Sequence, residues 1–356
     1  MTIEINISCS AGRALITDCD ISGGWQGIHP GSGPLVKIVN NLIHDNLECG
    51  IYMCMGNFGC IIENNHIYGN LIGIGGLSCR VLQGNPTYEA LGIAHLARDG
   101  DHYHIISQNI IFDNMREGIA TEGGRIGPKD YVITDNIVMN NNKQGVWYTS
   151  RHRMPAGIAL YNAQNCVVAN NRCYDDQDEF GCGELTEDAP AGSREIKIKH
   201  YKARPVNTEF TADPPVYRQF RLVLEHEGNR EEVNVTNRVS LVQLQLDQPL
   251  KHDYPKGTVP RILKSQQWGI VATGPESQQN VIMGNQCSEN MVGGLLHHNP
   301  GGSVVGNVGD VAAVDTNKTF MQNVYPARKI APLANGGFEE DGGWELSGPA
   351  EYDAAP

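Results

Sequence analysis

A short motif recurs along this chain and constrains its fold more than any other feature of the sequence. In each copy an aliphatic residue is followed three positions later by Asn, then two positions later by an aliphatic residue or Cys, and often by a second Asn. The clear copies are Ile38–Asn46, Ile62–Asn70, Ile106–Asn114, Ile133–Asn141, Val168–Asp176 and Ile282–Asn290. Degenerate copies are Ile16–Ile21 and Val304–Asn307. A motif repeated in this way is typical of a solenoid.

The period of the motif favours a parallel β-helix, a solenoid whose coils are built from short strands. The shortest steps between equivalent positions, Cys19 to Asn41 and Asn285 to Asn307, are both 22 residues, which suits one such coil. Coils stack about 4.8 Å apart, so an inward Asn can bond to the Asn of the next coil. Asn also tolerates the left-handed backbone of a tight bend. A leucine-rich horseshoe is disfavoured because its leucine spacing and any helical period are absent.

Four of the ten cysteines keep a fixed distance from the motif. Cys60 and Cys166 lie five residues before an anchor Asn, whereas Cys173 and Cys287 lie two residues after one. This registration predicts that the four pack in the interior as small apolar residues. The sequence contains no Cys-x-x-Cys spacing of the kind used by zinc sites.

The motif disappears over residues 191–262, where alternating stretches predict a small antiparallel β module inserted in a loop of the coil. The predicted strands are Ile196–Ile198, Phe220–Leu224, Val233–Val235 and Leu244–Leu246. Gly228-Asn229 and Lys256-Gly257 are the predicted turns. The expected organisation is therefore β-helix over 1–190, the module over 191–262, the last coils over 263–325, and a linker leading into a further module over 326–356. The inserted module is a candidate groove wall or oligomer contact, or a decoration without a role.

Charge and hydropathy exclude two classes of partner. The net charge of −13 is not the basic footprint that nucleic-acid binding requires. It gives no bulk attraction for an anionic polysaccharide either, so such a substrate would need a local basic patch. No apolar run approaches the roughly 20 residues that span a bilayer.

The N-terminus alternates like a strand and lacks the basic and apolar regions of a signal peptide. A solenoid needs a cap over its exposed strand edge, and no capping helix precedes the first coil. We therefore expect the chain to be a piece of a larger protein whose export signal lies elsewhere.

The Asn-x-Ile repeat resembles that of the right-handed parallel β-helix superfamily, with its pectate-lyase-like and NosD-like proteins. The resemblance covers about residues 2–325 apart from the interruption. It implies an all-β fold, a right-handed parallel β-helix with a small inserted antiparallel module. The superfamily includes polysaccharide lyases, glycoside hydrolases, sugar epimerases, phage tailspikes and non-catalytic surface proteins, so the fold alone does not decide the function.

A second resemblance lies near the C-terminus. The segment Asn335–Gly348, with Asn-x-Gly-Phe-Glu followed by Gly-Trp, is similar to the opening strand of jelly-roll carbohydrate-binding modules. A β-helix followed by such a module implies a carbohydrate-active protein with a polysaccharide or oligosaccharide partner. It also implies an extracellular or cell-surface location.

Loops on one side of the predicted coil carry the candidate site residues, because β-helix enzymes bind sugars in a groove walled by loops. The expected substrate-binding residues are His95, His102, Arg125, Trp147, Arg151, Arg153 and His298. The expected catalytic residues are Asp101, Glu122, Tyr148, His152 and Glu184. When the coils are aligned on their Gly-aliphatic pairs, Glu122, Thr149 and His298 fall in one register.

Hydrolysis of a glycosidic bond is the reaction that these residues favour. It requires two carboxyl groups roughly 5 to 10 Å apart, one of them kept protonated. Glu122 with Asp101 or Glu184 supplies such a pair. In the structural alternative, Glu122 forms only a surface ion pair with Arg125.

Two other functions remain open. Elimination from a uronate polymer needs a cation, a base and an acid, and Arg151, His152 and Arg153 with Tyr148 offer these groups in one loop. Alternatively, the loops only hold sugar, as in an adhesion protein. No cofactor is expected, although the acidic cluster at residues 175–179 offers oxygen ligands of the kind that Ca²⁺ prefers. The oligomeric state is not indicated by the sequence.

Overall fold

The computed structural model describes residues 5–9, 13–31, 35–53, 57, 59–77, 103–121, 127–143, 156–177, 179–181, 183–200, 221–238, 243–262, 266–291 and 293–313. These ranges contain thirty β-strands in four sheets. None of them contains a helix that could cross a membrane.

Three parallel sheets form the walls of the coil, and each of the first six coils contributes one strand to each wall in turn, whereas the last two coils contribute strands only to sheets A and B. Sheet A contains β1 (Ile5–Ser8), β4 (Gln26–His29), β7 (Cys49–Tyr52), β10 (Ile72–Leu77), β13 (Ile119–Thr121), β16 (Ala156–Tyr161), β26 (Trp268–Thr273), β28 (Gly293–His297) and β30 (Val311–Ala313). Sheet B contains β2 (Leu15–Thr17), β5 (Lys37–Val39), β8 (Ile61–Glu63), β11 (Ile105–Ser107), β14 (Val132–Thr134), β17 (Val167–Ala169), β27 (Val281–Met283) and β29 (Ser303–Val305). Sheet C contains β3 (Asp20–Ser22), β6 (Leu42–His44), β9 (His66–Tyr68), β12 (Ile110–Phe112), β15 (Ile137–Met139) and β18 (Arg172–Tyr174). The predicted parallel β-helix is thus confirmed, and we number its coils 1 to 8 from β2 onwards.

The predicted Asn stacks are continuous rows of hydrogen bonds inside the coil. The first ladder contains Asn41, Asn65, Asn109, Asn136, Asn171, Asn285 and Asn307. In the middle of it, the Asn136 amide nitrogen donates to Asn171 Oδ1 at 2.9 Å and to the Ile106 carbonyl at 2.9 Å. Its Oδ1 accepts from the side chain and the backbone N–H of Asn109 at 2.9 and 3.0 Å. A fully buried amide therefore has its hydrogen-bonding capacity used.

The bend between sheets B and C divides two tasks between two neighbouring residues. The residue before the ladder Asn has the left-handed backbone, with φ of 59° at Asn40, 54° at Asn64 and 58° at Asp135. The ladder Asn itself then turns inward and bonds to the next coil. The prediction that the ladder Asn also makes the bend is corrected, since the left-handed conformation falls one residue earlier.

The interior between the ladders is aliphatic, as the motif predicts. One buried column under sheet C consists of Ile21, Ile43, Ile67, Ile111, Val138, Cys173 and Cys287. Cys60 and Cys166 are also fully buried in the same core, so the predicted interior role of the four cysteines is confirmed.

The insert is a seven-stranded antiparallel sheet between coil strands β18 and β26. In sheet order it contains β19 (Phe180–Gly181), β25 (Arg261–Ile262), β22 (Arg221–His226), β23 (Asn229–Arg238), β24 (Gln243–Leu246), β21 (Glu195–His200) and β20 (Gly183–Leu185). It therefore takes in β19 and β20, which lie before residue 191. The β22–β23 turn is Glu227-Gly228, one residue earlier than predicted, because Asn229 pairs with His226. A turn at Lys256-Gly257 is present as predicted.

The insert packs on the outer face of sheet A. Its core side chains, including Leu222, Leu244 and Tyr254, form one apolar cluster with residues that sheet A presents outward. Those residues are Ala156, Ala159, Trp268, Val271 and Leu296. The insert thus covers sheet A from coil 5 to coil 7.

The chain leaves and re-enters the coil at two buried polar residues. A second ladder contains Asn46, Asn70, Asn114, Asn141, Gln266 and Asn290. Gln266 follows the insert, and its side chain accepts from Asn141 at 3.1 Å and donates to Asn290 at 2.8 Å. Asp175, which directly follows β18, accepts the Gln266 backbone N–H at 2.7 Å. The coil is therefore closed beneath the insert.

We expect Asn136→Ala to lower the free energy of unfolding by about 4 kcal/mol, because it leaves several buried groups of Asn109, Asn171 and Ile106 unpaired. Chemical denaturation followed by circular dichroism measures the change. Asp135→Gly is the matched control on the neighbouring bend residue and should change stability by less than about 1 kcal/mol. Equal losses in the two variants would contradict the division of tasks described above.

Candidate functional site

Three of the predicted loops connect to neighbouring strands of sheet A. Segment 78–102 follows β10, segment 122–126 follows β13, and segment 144–155 precedes β16. Because β10, β13 and β16 are adjacent in the sheet, the chain enters or leaves these segments beside one wall of the coil. Sheet A is thus the described part of the coil to which these three segments are joined.

Ten of the twelve predicted residues lie outside the described residues, and their roles stay predictions. They are His95, Asp101, His102, Glu122, Arg125, Trp147, Tyr148, Arg151, His152 and Arg153. The strand register also corrects the alignment that placed Thr149 in one register with Glu122 and His298. Ile119 pairs with Ile158, and Ile270 with Leu295, so Gly157-Ile158, rather than Gly145-Val146, is the coil-5 equivalent of the Gly118-Ile119 pair.

Glu184 lies in the insert rather than on the coil. It sits in β20 opposite Lys199, whose amino group is 4.0 Å from the carboxylate. The side chain is 45% exposed, so this contact is a surface ion pair of small energetic weight. The structure does not bring Glu184 onto sheet A.

His298 follows the last residue of β28 and remains at the edge of sheet A. Its backbone N–H donates to the Ala272 carbonyl at 2.8 Å, and its side chain is half-buried. Burial, assisted by the neighbouring His298 charge, lowers the pKa of His297. His297 and His298 are therefore polar residues at the end of the sheet A face that the insert covers.

A polar cluster on sheet A in coils 1 and 2 was missed by the sequence analysis. This His29 cluster consists of Gln26, His29, Glu48 and Tyr52, on and beside strands β4 and β7. Gln26 Nε2 donates to Glu48 Oε2 at 2.6 Å. The His29 and Tyr52 rings are tilted by 53° with their centroids 5.5 Å apart. Because each aromatic residue directly follows the inward isoleucine of a Gly-Ile pair, the alternation of the strand was the signal for an outward position.

Neither ring nitrogen of His29 has a hydrogen-bond partner among the residues that the structure describes, although both nitrogens are shielded from solvent. Burial lowers the pKa of His29, and the nearby Glu48 carboxylate partly opposes this shift. The ring is therefore neutral at neutral pH and keeps an unused basic nitrogen.

Two coils further along the same face lies a buried ion pair. Arg116 is 6% exposed and Glu117 is 0% exposed, with Arg116 Nε 3.5 Å from Glu117 Oε2. Neither Glu117 oxygen makes a hydrogen bond. Sheet A thus differs along its length, since coils 1–4 carry histidine, carboxylate and guanidinium groups while coils 5–7 are apolar beneath the insert.

The acidic cluster considered for Ca²⁺ is engaged by protein groups. Asp175 accepts from Gln266 and Gln177, and Asp176 pairs with Asn140 at 2.9 Å. Glu179 lies in the insert and pairs with Arg230 and Arg261. Within the described ranges, which exclude residue 178, no group of three or more His, Cys, Asp or Glu side chains is arranged to hold a metal ion.

We expect His29 and His44 to shift stability with pH in opposite directions. The pKa of His29 is below its ordinary value of 6.5, so its contribution is present above pH 6.5 and is lost as pH falls through the folded value. The pKa of His44 is raised by its hydrogen bonds to Asp45 and Asp20, so its contribution is lost as pH rises through the folded value.

Thermal melts of His29→Gln and His44→Gln between about pH 5 and about pH 8 measure these contributions. Relative to the unchanged protein, His29→Gln should lose less stability on acidification and His44→Gln should lose more. Parallel pH curves for the two variants would contradict the assignment. His297, whose pKa is also lowered, keeps part of the acid sensitivity in both variants.

Comparison with known proteins supports the architecture. The family described as "Right handed beta helix region" matches residues 2–88. No curated protein matches the chain. Among solved structures, an alginate lyase from Paenibacillus sp. str. FPU-7 is similar with 14% identity and a TM-score of 0.38, covering 84% of this chain and 66% of the lyase. The pectate lyase Pel9A is similar with 12% identity and a TM-score of 0.31, covering 45% of this chain and 37% of that protein. The chain therefore contains a right-handed β-helix region.

Proposed function

We propose that this chain binds a polysaccharide across the outer face of sheet A in coils 1–4 and cleaves it by β-elimination. The His29 cluster carries the proposal, because it places a neutral imidazole beside a phenol ring and a carboxylate on that face. Within the described part of the chain the two ring nitrogens of His29 have no hydrogen-bond partner, and such groups are available to a ligand.

The position of the insert supports the choice of coils. The insert covers the apolar half of sheet A, and in the described structure it contributes no side chain to the apolar cluster of Cys49, Ile72 and Ala120 on the other half. An extended sugar chain lying along the coil axis would reach the edge of the insert after about four coils, roughly 19 Å at 4.8 Å per coil. The insert is then the end wall of the groove.

The residue types favour elimination over hydrolysis. Elimination needs a base for the proton beside the uronate carboxylate and an acid for the leaving oxygen. A neutral His29 fits the base and Tyr52 fits the acid. The carboxylate of the substrate would be neutralised by Arg125, Arg151 or Arg153, which the sequence predicts on segments joined to the same sheet.

Hydrolysis by paired carboxyl groups has less support from the described residues. Its predicted pair combines Glu122 with Asp101 or Glu184, and Glu184 is held in the insert opposite Lys199. Glu117 is buried and forms an ion pair with Arg116, and no second carboxyl group is shown facing it among the described residues. Elimination is also the reaction named for the two lyases above, whose likeness at this identity concerns the fold alone.

We expect incubation with alginate or pectate to produce unsaturated chain ends, detected by their ultraviolet absorbance, and a neutral polysaccharide to give none. His29→Gln should lower kcat by at least about 100-fold, the usual contribution of a general base. The variant should still bind the same polysaccharide when the polymer is immobilised for a pull-down. His44→Gln, on the outer face of sheet C, is the matched control and should keep full activity.

Three outcomes would overturn parts of this proposal. New reducing ends without unsaturation would show hydrolysis. Binding without turnover by the unchanged protein would show an adhesion function. Undiminished elimination by His29→Gln would place the chemistry on other residues, with Tyr148 and His152 the next to substitute.

A further inference from the structure

Two cysteines occupy stacked positions in the core. Cys173 precedes the insert in the chain, and Cys287 follows it on the next coil. Val138 pairs with Cys173 across strands β15 and β18. The next coil continues the register, because Arg172 pairs with Gln286 and the Cys173 N–H donates to the Gln286 carbonyl at 2.8 Å. Cys287 therefore follows Cys173 directly in the column under sheet C.

The two thiols face each other inside the coil. Cys173 is 0% and Cys287 is 2% exposed, both are free thiols, and they are neighbours in one buried column of the core. Parallel strands place such neighbours roughly 4.8 Å apart, within the Cα separation of about 4.4 to 6.8 Å that disulfides span. The spacing of the two strands therefore suits a disulfide between them.

We propose that Cys173 and Cys287 form a disulfide when the chain folds in an oxidising compartment. Glutathione disulfide is a sufficient oxidant. The two cysteine thiols give up two protons and two electrons, a sulfur–sulfur bond forms between them, and the oxidant is reduced to two molecules of glutathione. This inference does not depend on the proposed polysaccharide reaction.

The bond would join coil 6, which contains the insert, to coil 7. Its closed loop runs from 173 to 287 and contains every strand of the insert, and a crosslink over a long loop removes much of the freedom of the unfolded chain. Loosening of the insert then cannot separate coil 6 from coil 7.

Burial also sets when the bond can form. Burial in the core raises the pKa of the Cys173 thiol, and the neighbouring Cys287 adds to this shift, so little thiolate is present in the folded protein. Oxidation should therefore occur during folding, and the finished bond should resist reductants that cannot enter the core. Cys60 and Cys166 differ, because His104 and Tyr131 occupy the coils between them.

Refolding in glutathione disulfide, followed by alkylation and peptide mapping by mass spectrometry, tests the pair directly. We expect a peptide containing Cys173 linked to one containing Cys287, and two fewer alkylated thiols than after refolding in dithiothreitol. Alkylation of both cysteines after oxidative refolding to the native circular dichroism spectrum would overturn the proposal.

A cleavable insert gives an independent readout. A protease site replacing the exposed Glu227-Gly228 turn divides the chain within the loop that the disulfide closes. On denaturing gels the two fragments should separate only after reduction. Cys173→Val, which matches Val138 in the same column, should release them without reductant, whereas Cys166→Ala should leave them linked. Release from the unchanged pair would contradict the proposal.

Discussion

The pairing of buried amide groups is the constraint on which this structure depends. The ladder Asn residues from Asn41 to Asn285 are buried in the core, where an unpaired amide is costly, and their partners lie on the neighbouring coils. Full pairing is reached only when successive coils stack in register at the spacing of parallel strands. The ladders therefore set the distance between coils, their alignment and the inward direction at each bend, and the aliphatic columns fill the space so defined.

This constraint also decides where the chain can vary. Six coils have strands in both sheet B and sheet C. In each of them a bend of two residues joins the two strands, from Asp18-Cys19 in the first to Asn170-Asn171 in the last. The connections on either side of sheet A range from a few residues to the whole insert. Length variation is therefore confined to the borders of one wall, and side chains that recognise a ligand can accumulate there without disturbing the ladder.

Local repetition made much of the fold predictable. The motif indicated the coil, the inward Asn and the buried cysteines, because each depends on neighbours with the same local sequence. Other features required contacts that no local pattern contains. Gln266 joins a ladder 125 residues away from Asn141, and the packing of the insert on sheet A follows from shapes rather than from period. The His29 cluster was not predicted, because its side chains point outward from the strands whereas the predicted site residues all came from the loops.

The junction at Asp175 and Gln266 has a consequence for the history of the chain. Both residues are buried, both bond within the coil, and together they close it beneath the insert. The coil is thus closed at this junction without help from the insert. The insert is attached to it as a separate antiparallel sheet, a self-contained cassette. Such an arrangement allows one cassette to be exchanged for another during evolution, or by design, while the underlying solenoid continues unbroken.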